Sequence, residues 1–330
     1  MSDSRSIKLH LAPMEGVVDW VMRDMLTQVG GIDQCVTEFM RVTDKLHPYS
    51  VFLRYSPELQ NEGALKGHTR AGTPVFFQLL GGQAQPLAEN AARVAELGAP
   101  GIDLNFGCPA KTVNRHDGGA TLLKCPDRVQ NIVEAVRRAV PTHIPVTAKI
   151  RLGFDDPSMC VQNAQAAEAG GADKLTVHCR TKTDGYRPPA YWEWIPKMKA
   201  AVKIPIVANG EIWSVDDFHR CLEVTECDEF MMGRGAIANP YLFRQIKASL
   251  AQKETETFRP WGDVKSLVPQ FFEMSAAQKS DYFAQARTKQ WMRSLCLKYP
   301  EAKTIFEEIK IITKPPVFKE NLDRLCSVVP

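Results

Sequence analysis

Eight short apolar runs punctuate the chain at 8–13, 35–39, 74–80, 101–105, 145–150, 174–178, 204–208 and 229–232, each closed by turn residues. Between most of them, at 88–97, 126–140, 159–170, 191–202 and 215–224, apolar residues recur at helical spacing. Strand and helix in alternation predict parallel strands joined by crossover helices. Eight such units are the count of a (β/α)8 TIM barrel, with a doubly wound sheet as the alternative architecture. Beyond 237–250 the pattern changes. A polar stretch, 251–262, reads as a linker, and from 263 onward only helical periodicity remains, carried by Leu267, Phe271 and Met274, then Trp291 and Leu295, then Ile305, Ile309 and Ile312. The expected organisation is therefore a catalytic barrel over 1–250, the linker, and a small all-helical domain over 263–330.

Barrel chemistry sits at the C-terminal ends of the strands, and the polar residues fall there. Glu15 follows the first run, Glu38 closes the second, Gln78 the third and Asn105 the fourth. Lys149 and Arg151 end the fifth, His178 the sixth, Asn209 the seventh, and Gly233-Arg234 the eighth. A doubly wound sheet would not be expected to carry a polar group on eight successive strand ends.

Composition narrows the class. The 330 residues are 44% hydrophobic and 24% charged, which excludes a disordered chain. A formal charge of +3 excludes a polycation that grips phosphate by charge alone, although the whole excess lies in 251–330, where 13 basic residues face 10 acidic ones. The nine Cys are scattered with no C-x-x-C pair, a reduced cytoplasmic pattern without a disulfide framework or a thiolate metal site. No window of 18 apolar residues and no signal-peptide pattern occurs, so a soluble protein is expected.

Three constellations carry chemistry. In Asn105-Phe106-Gly107-Cys108-Pro109, a Cys stands just past a strand end, in a loop where it can act as acid or nucleophile rather than as a small buried hydrophobe. Asn209-Gly210-Glu211 and Gly233-Arg234 are glycine turns on strands seven and eight, where barrels build phosphate cradles from backbone N–H groups. Lys149 tops an apolar strand, a costly place for a cation unless it meets an anion or a polar ring. His178 alone reads as a core histidine; beside Gln78 and Lys149 it reads as part of a cofactor site.

At these residues the sequence resembles the tRNA-dihydrouridine synthases, flavin enzymes that reduce uridine in tRNA. The resemblance spans essentially the whole chain and rests on Ala12-Pro13-Met14-Glu15-Gly16, Gln78-Leu79, Asp103 to Pro109, Lys149-Ile150-Arg151, Val177-His178 to Arg180-Thr181, Ala208-Asn209-Gly210 and Gly233-Arg234-Gly235-Ala236. Within the family, Arg180 to Tyr186 and Ala208 to Trp213 are most similar to the bacterial subgroup acting on uridine 16. Cys179 stands where relatives often carry Gly or Ala, and Ala110 where they often carry Ser.

The resemblance implies FMN held by Pro13, Met14, Gln78, Lys149, His178, Asn209, Gly210, Glu211, Gly233 and Arg234. It implies NADPH as reductant and Cys108 as the proton donor to C5 of uracil. Asn105, Arg151 and Tyr186 would meet the extruded base, and Arg287, Lys289 and Arg293, clustered around Trp291, would meet tRNA phosphates. No metal or membrane is implied, and a monomer is expected. Two rivals stand beside this reading: an FMN barrel reductase of a free small molecule, which would lack the helical tail, and an RNA-binding barrel without flavin.

Overall fold

The computed structural model describes residues 6–253 and 261–327. Eight parallel strands close into a barrel: β1 Lys8–Leu11, β2 Gln34–Val36, β3 Val75–Leu80, β4 Ile102–Asn105, β5 Val146–Gly153, β6 Lys174–Thr181, β7 Ile206–Asn209 and β8 Glu229–Met232. Each pairs with the next, and β1 pairs with β8 (Lys8 with Glu229, Leu11 with Met232) to complete the ring. Strands with helices outside and side chains within are buried on both faces, which is why Val75–Leu80 is a continuous buried run rather than an alternating one.

All eight expected strands are present, but three differ in instructive ways. The second stops at Val36 and resumes as Met40–Arg41, which pairs with Leu79 and Leu80 of β3. The break begins at Thr37, whose hydroxyl oxygen accepts from the Gln78 N–H at 2.9 Å and takes over a ladder position. β5 and β6 run past their expected ends, to Gly153 and Thr181. The cations Lys149, Arg151 and Arg180 therefore stand within strands. Between Arg151 and Gly153 the register slips by one residue on β6, from His178 to Thr181, a bulge at the rim that re-aims side chains beside the site. The helix expected at 191–202 is cut into the 3-10 turn Trp192–Trp194 and the helix Ile195–Lys199, with Pro196 in its first turn.

The lower end of the barrel is tied by charge. Glu229 accepts from His10 Nε2 at 2.7 Å and pairs with Lys174. Burial alone would raise the Glu229 carboxyl, but these two partners outweigh it and hold it at about 2. A depressed carboxyl adds stability above its unfolded value near 4.5 and loses it as pH falls toward 2. We expect Glu229→Gln to be less stable than wild type at pH 6 and the difference to shrink steadily below pH 4.5, as read by denaturant unfolding; a gap that is constant with pH would exclude this linkage.

After the helix Leu242–Leu250, most of the stretch expected as a linker (251–262) lies outside the described residues. The tail resumes as five helices, Trp261–Lys265, Leu267–Gln278, Asp281–Leu295, Pro300–Ile309 and Pro315–Cys326. It is joined to the barrel through Asp281–Leu295: Trp291 Nε1 donates to the Ile237 carbonyl at 3.1 Å, and its buried ring meets Phe271 edge-on at 4.9 Å. No helix among the described residues is long and apolar enough to cross a membrane.

Candidate active site

The upper ends of the strands enclose a cavity of about 540 Å³, in the range of small-molecule sites. Of the polar residues expected at the strand ends, Glu38 faces a separate cleft beside Asp19 and Arg287, and the others line this cavity: Pro13, Met14 and Glu15 after β1, Gln78 on β3, Asn105 and Cys108 at and after β4, and Lys149 and Arg151 on β5. His178 and Tyr186 follow from β6, Asn209, Gly210 and Glu211 from β7, and Gly233 and Arg234 from β8.

The floor is a chain of polar side chains. Asn105 Nδ2 donates to Gln78 Oε1 at 2.9 Å, Gln78 Nε2 donates to Asp103 Oδ2 at 2.6 Å, and the Thr147 hydroxyl donates to Asp103 Oδ1 at 2.6 Å. Burial pushes the Asp103 carboxyl up to about 6 against these bonds. The Asn105 amide oxygen also accepts from the Gly107 and Cys108 N–H groups, at 2.9 and 3.0 Å, and so fixes the loop that carries the thiol. Cys108 lines the cavity while its other side packs on Leu80 and Val113. Burial raises its pKa, and nearby Glu15 adds to the effect, so the group is a thiol at neutral pH.

One wall is cationic. Lys149 is half-buried, its Nζ donates to Asn209 Oδ1 at 3.1 Å, and desolvation followed by repulsion from Arg151 lowers it to about 8. Arg151 is spent on the framework, with Nε on the Gly107 carbonyl (2.8 Å) and Nη1 on those of Thr181 (2.9 Å) and Gly185 (2.8 Å). It thereby braces both the Cys108 loop and the loop bearing Tyr186. The Tyr186 ring is 56% exposed at the lip, with the Arg151 and Arg234 guanidinium carbons 5.2 and 5.5 Å from its centroid.

The glycine turns lie where the backbone must come bare to the cavity. A Cβ on Gly210 would approach His178 Cδ2 to 3.1 Å, at a φ of +124° that L side chains rarely adopt, and one on Gly233 would approach Met14 Sδ to 3.1 Å. Glu211 holds a left-handed backbone at φ 58°; its carboxylate accepts from Trp213 Nε1 at 2.7 Å and pairs with Arg180 and Arg234. Arg180 and Trp213 were not among the site residues expected from sequence. Arg180 lies inside the Val177 to Thr181 motif, and its alternation with His178 was the signal that both face inward.

The tail residues divide. Arg287 is buried: Nε pairs with Asp19 Oδ2 at 3.1 Å, and Nη1 and Nη2 donate to the Gly16 and Val17 carbonyls at 2.9 and 2.7 Å, so its guanidinium joins the tail to the loop after β1. Lys289 is half-buried and caps the carbonyls of Lys310 and Ile312. Arg293 is exposed, 5.9 Å from the Phe306 ring centroid. Arg287 and Lys289 therefore do not form one open basic face with Arg293.

A parallel barrel whose mouth joins bare glycine turns, a half-buried lysine and a protonated thiol over one cavity defines a cofactor-dependent barrel enzyme of the oxidoreductase kind. The dihydrouridine synthase family model matches residues 10–328. The chain belongs to that family, which consists of flavin oxidoreductases. It is 50% identical over 306 residues to the tRNA-dihydrouridine(16) synthase of Pseudomonas putida, covering 92% of this chain and 93% of that one. The protein of the same name from Shewanella oneidensis is 49% identical over 306 residues, covering 92% and 94%. Among solved structures, the old yellow enzyme homologue of Zymomonas mobilis superposes with a TM-score of 0.51 at 14% identity, covering 74% of this chain and 88% of that one. Histamine dehydrogenase from Rhizobium sp. 4-9 gives 0.53 at 15%, covering 74% and 46%. At that identity the likeness is one of fold.

Proposed function

We propose that this chain reduces uridine 16 in the D-loop of tRNA to 5,6-dihydrouridine, with FMN as its cofactor and NADPH as reductant. The observation that carries the reading is the convergence of Cys108, Lys149, His178 and the two glycine turns on one cavity, in a chain about half identical to relatives named for that activity. The residues fit the cofactor: Gly210 and Gly233 offer bare backbone beside Arg234 for a phosphate, and Lys149, His178 and Gln78 offer polar contacts for the edge of a flat ring, with Pro13 and Met14 beside it. Reduced FMN, when bound, supplies the hydride that reaches C6 of uracil.

The chain's own residues do the rest. Cys108 gives its proton to C5, completing the addition of one hydride and one proton across the C5–C6 bond, and the thiolate left behind takes a proton from solvent before the next turnover. To be reached, the base must leave the tRNA stack. Tyr186 offers it an exposed ring face, while Asn105 and Arg151, held by the framework, border its polar edge. Lys149 keeps positive charge beside the cofactor up to about pH 8.

Mapping dihydrouridine by mass spectrometry in tRNA from cells with and without this gene tests activity and position together. Loss at position 16 alone is expected; unchanged tRNA would end the reading. The tail supplies phosphate contact through Arg293, with Arg287 fixing where its helix sits. Arg293→Ala should weaken tRNA binding several-fold and lower its log–log salt slope by about 1, without changing flavin content. An unaltered slope would remove Arg293 from the interface.

A further inference from the structure

We infer that Arg180 is a positioning residue that fixes His178 in the neutral tautomer with its proton on Nδ1, so that the ring presents a donor, not an acceptor, to the cavity. The inference rests on the flavin-site reading for its purpose but not for its geometry.

Arg180 is fully buried, and its fork reaches three separate parts of the mouth. Nε donates to the carbonyls of Arg187 and Pro189, at 2.6 and 3.1 Å, in the loop that carries Tyr186. The Nη2 side pairs with the carboxylate of Glu211 after β7. Nη1 stands 3.1 Å from His178 Nε2. A guanidinium has donors only and does not deprotonate in proteins, so Nε2 must be the acceptor and carry a lone pair. A ring with an unprotonated Nε2 is either neutral with its proton on Nδ1 or doubly deprotonated, and the second form is out of reach in water.

The surroundings agree. Burial first, then the positive charges of Arg151, Lys149, Arg180 and Arg234, push His178 well below its ordinary value, so the imidazolium is not formed at neutral pH. Gly210 closes over the ring on the Cδ2–Nε2 side, where its hypothetical Cβ would lie 3.1 and 3.5 Å from those atoms. With Nε2 engaged by Arg180, Nδ1 is the ring's other polar atom, and His178 lines the cavity. The consequence for the site is a neutral Nδ1–H that would donate to a carbonyl or nitrogen acceptor of a bound flavin, whereas the other tautomer would offer such an acceptor only a lone pair. Specificity here comes from leaving the wrong protonation state without a partner.

The test is 15N NMR of histidine-labelled protein, as purified with its flavin and again after flavin removal. The two ring nitrogens of His178, assigned by comparison with His178→Gln, should report a protonated Nδ1 and an unprotonated Nε2 in both forms at pH 7. A protonated Nε2 in the wild-type protein overturns the proposal without recourse to any variant, whatever the protein does with tRNA. Arg180→Met should then show a tautomer mixture and roughly 3–10-fold weaker FMN binding, the weight of one hydrogen bond, with Arg180→Lys restoring the Nδ1–H form. A Met variant that folds with the wild-type tautomer would show that Arg180 does not set it. If the tautomer is as inferred but FMN does not bind, the flavin reading fails and the positioning role stands.

Discussion

Cys108→Ala is expected to lower dihydrouridine formation by roughly 10²–10⁴-fold, the span lost with a positioned general acid, while the purified variant stays yellow and is reduced by NADPH as wild type. The two halves of the expectation come from separate parts of the site. The flavin contacts proposed above lie with Lys149, His178 and the glycine turns, whereas the Cys108 loop is held by its backbone through Asn105 Oδ1 rather than by sulfur. Removing the sulfur therefore leaves the cradle and the loop intact and takes away only the proton. Burial holds the group protonated, so the rate should stay level through neutral pH and fall only where the thiol itself ionises. Cys108→Ser tests the same point from the other side: it restores the hydrogen-bonding shape with a far weaker acid and should recover little. Single-turnover reduction of tRNA, set against flavin reduction by NADPH in the same preparation, separates the steps. A variant that forms dihydrouridine at the wild-type rate would strip Cys108 of its role.

Much of this site was legible because a parallel barrel converts strand ends into one ring. Once eight apolar runs were counted, Gln78, Asn105, Lys149, His178, Asn209 and Gly233 had to converge, however far apart in the chain. What sequence hid were the side chains that serve other side chains. Asn105 and Arg151 read as groups reaching for a substrate, yet most of their hydrogen bonds turn back to the loops of Cys108 and Tyr186. Arg180 read as one residue of a motif with no role of its own, and the fork of its contacts shows that it ties His178 on β6 to the loops of Arg187 and Glu211. The break at Thr37 was hidden for a similar reason: a hydroxyl replaces a backbone acceptor, which periodicity does not register. Helical spacing put Lys289 and Arg293 on one face, but it could not say that Arg287 turns inward to the barrel.

Arg287 carries the second large expectation: Arg287→Met should cost about 3–5 kcal/mol, the usual loss when one partner of a buried ion pair is removed. The Met side chain fills the volume but leaves Asp19 facing the interface, and the Gly16 and Val17 carbonyls lose the donors that reach them from Nη1 and Nη2. Asp19 is not wholly stranded, since it also caps the helix Trp20–Val29 by accepting from the Met22 N–H at 3.0 Å. That second bond sets up a discriminating double variant. Asn at position 19 keeps a capping oxygen and removes the unpaired charge, so Asp19→Asn in the Arg287→Met background should recover part of the loss, whereas Asp19→Asn alone should destabilise. Equilibrium denaturant unfolding of all four proteins closes the cycle. Additive losses would mean that the pair is not coupled and that Trp291 and its neighbours hold the tail alone. Coupling of the expected sign makes the loop after β1, which also supplies Pro13 and Met14 to the cavity, the joint through which the tail is registered against the mouth.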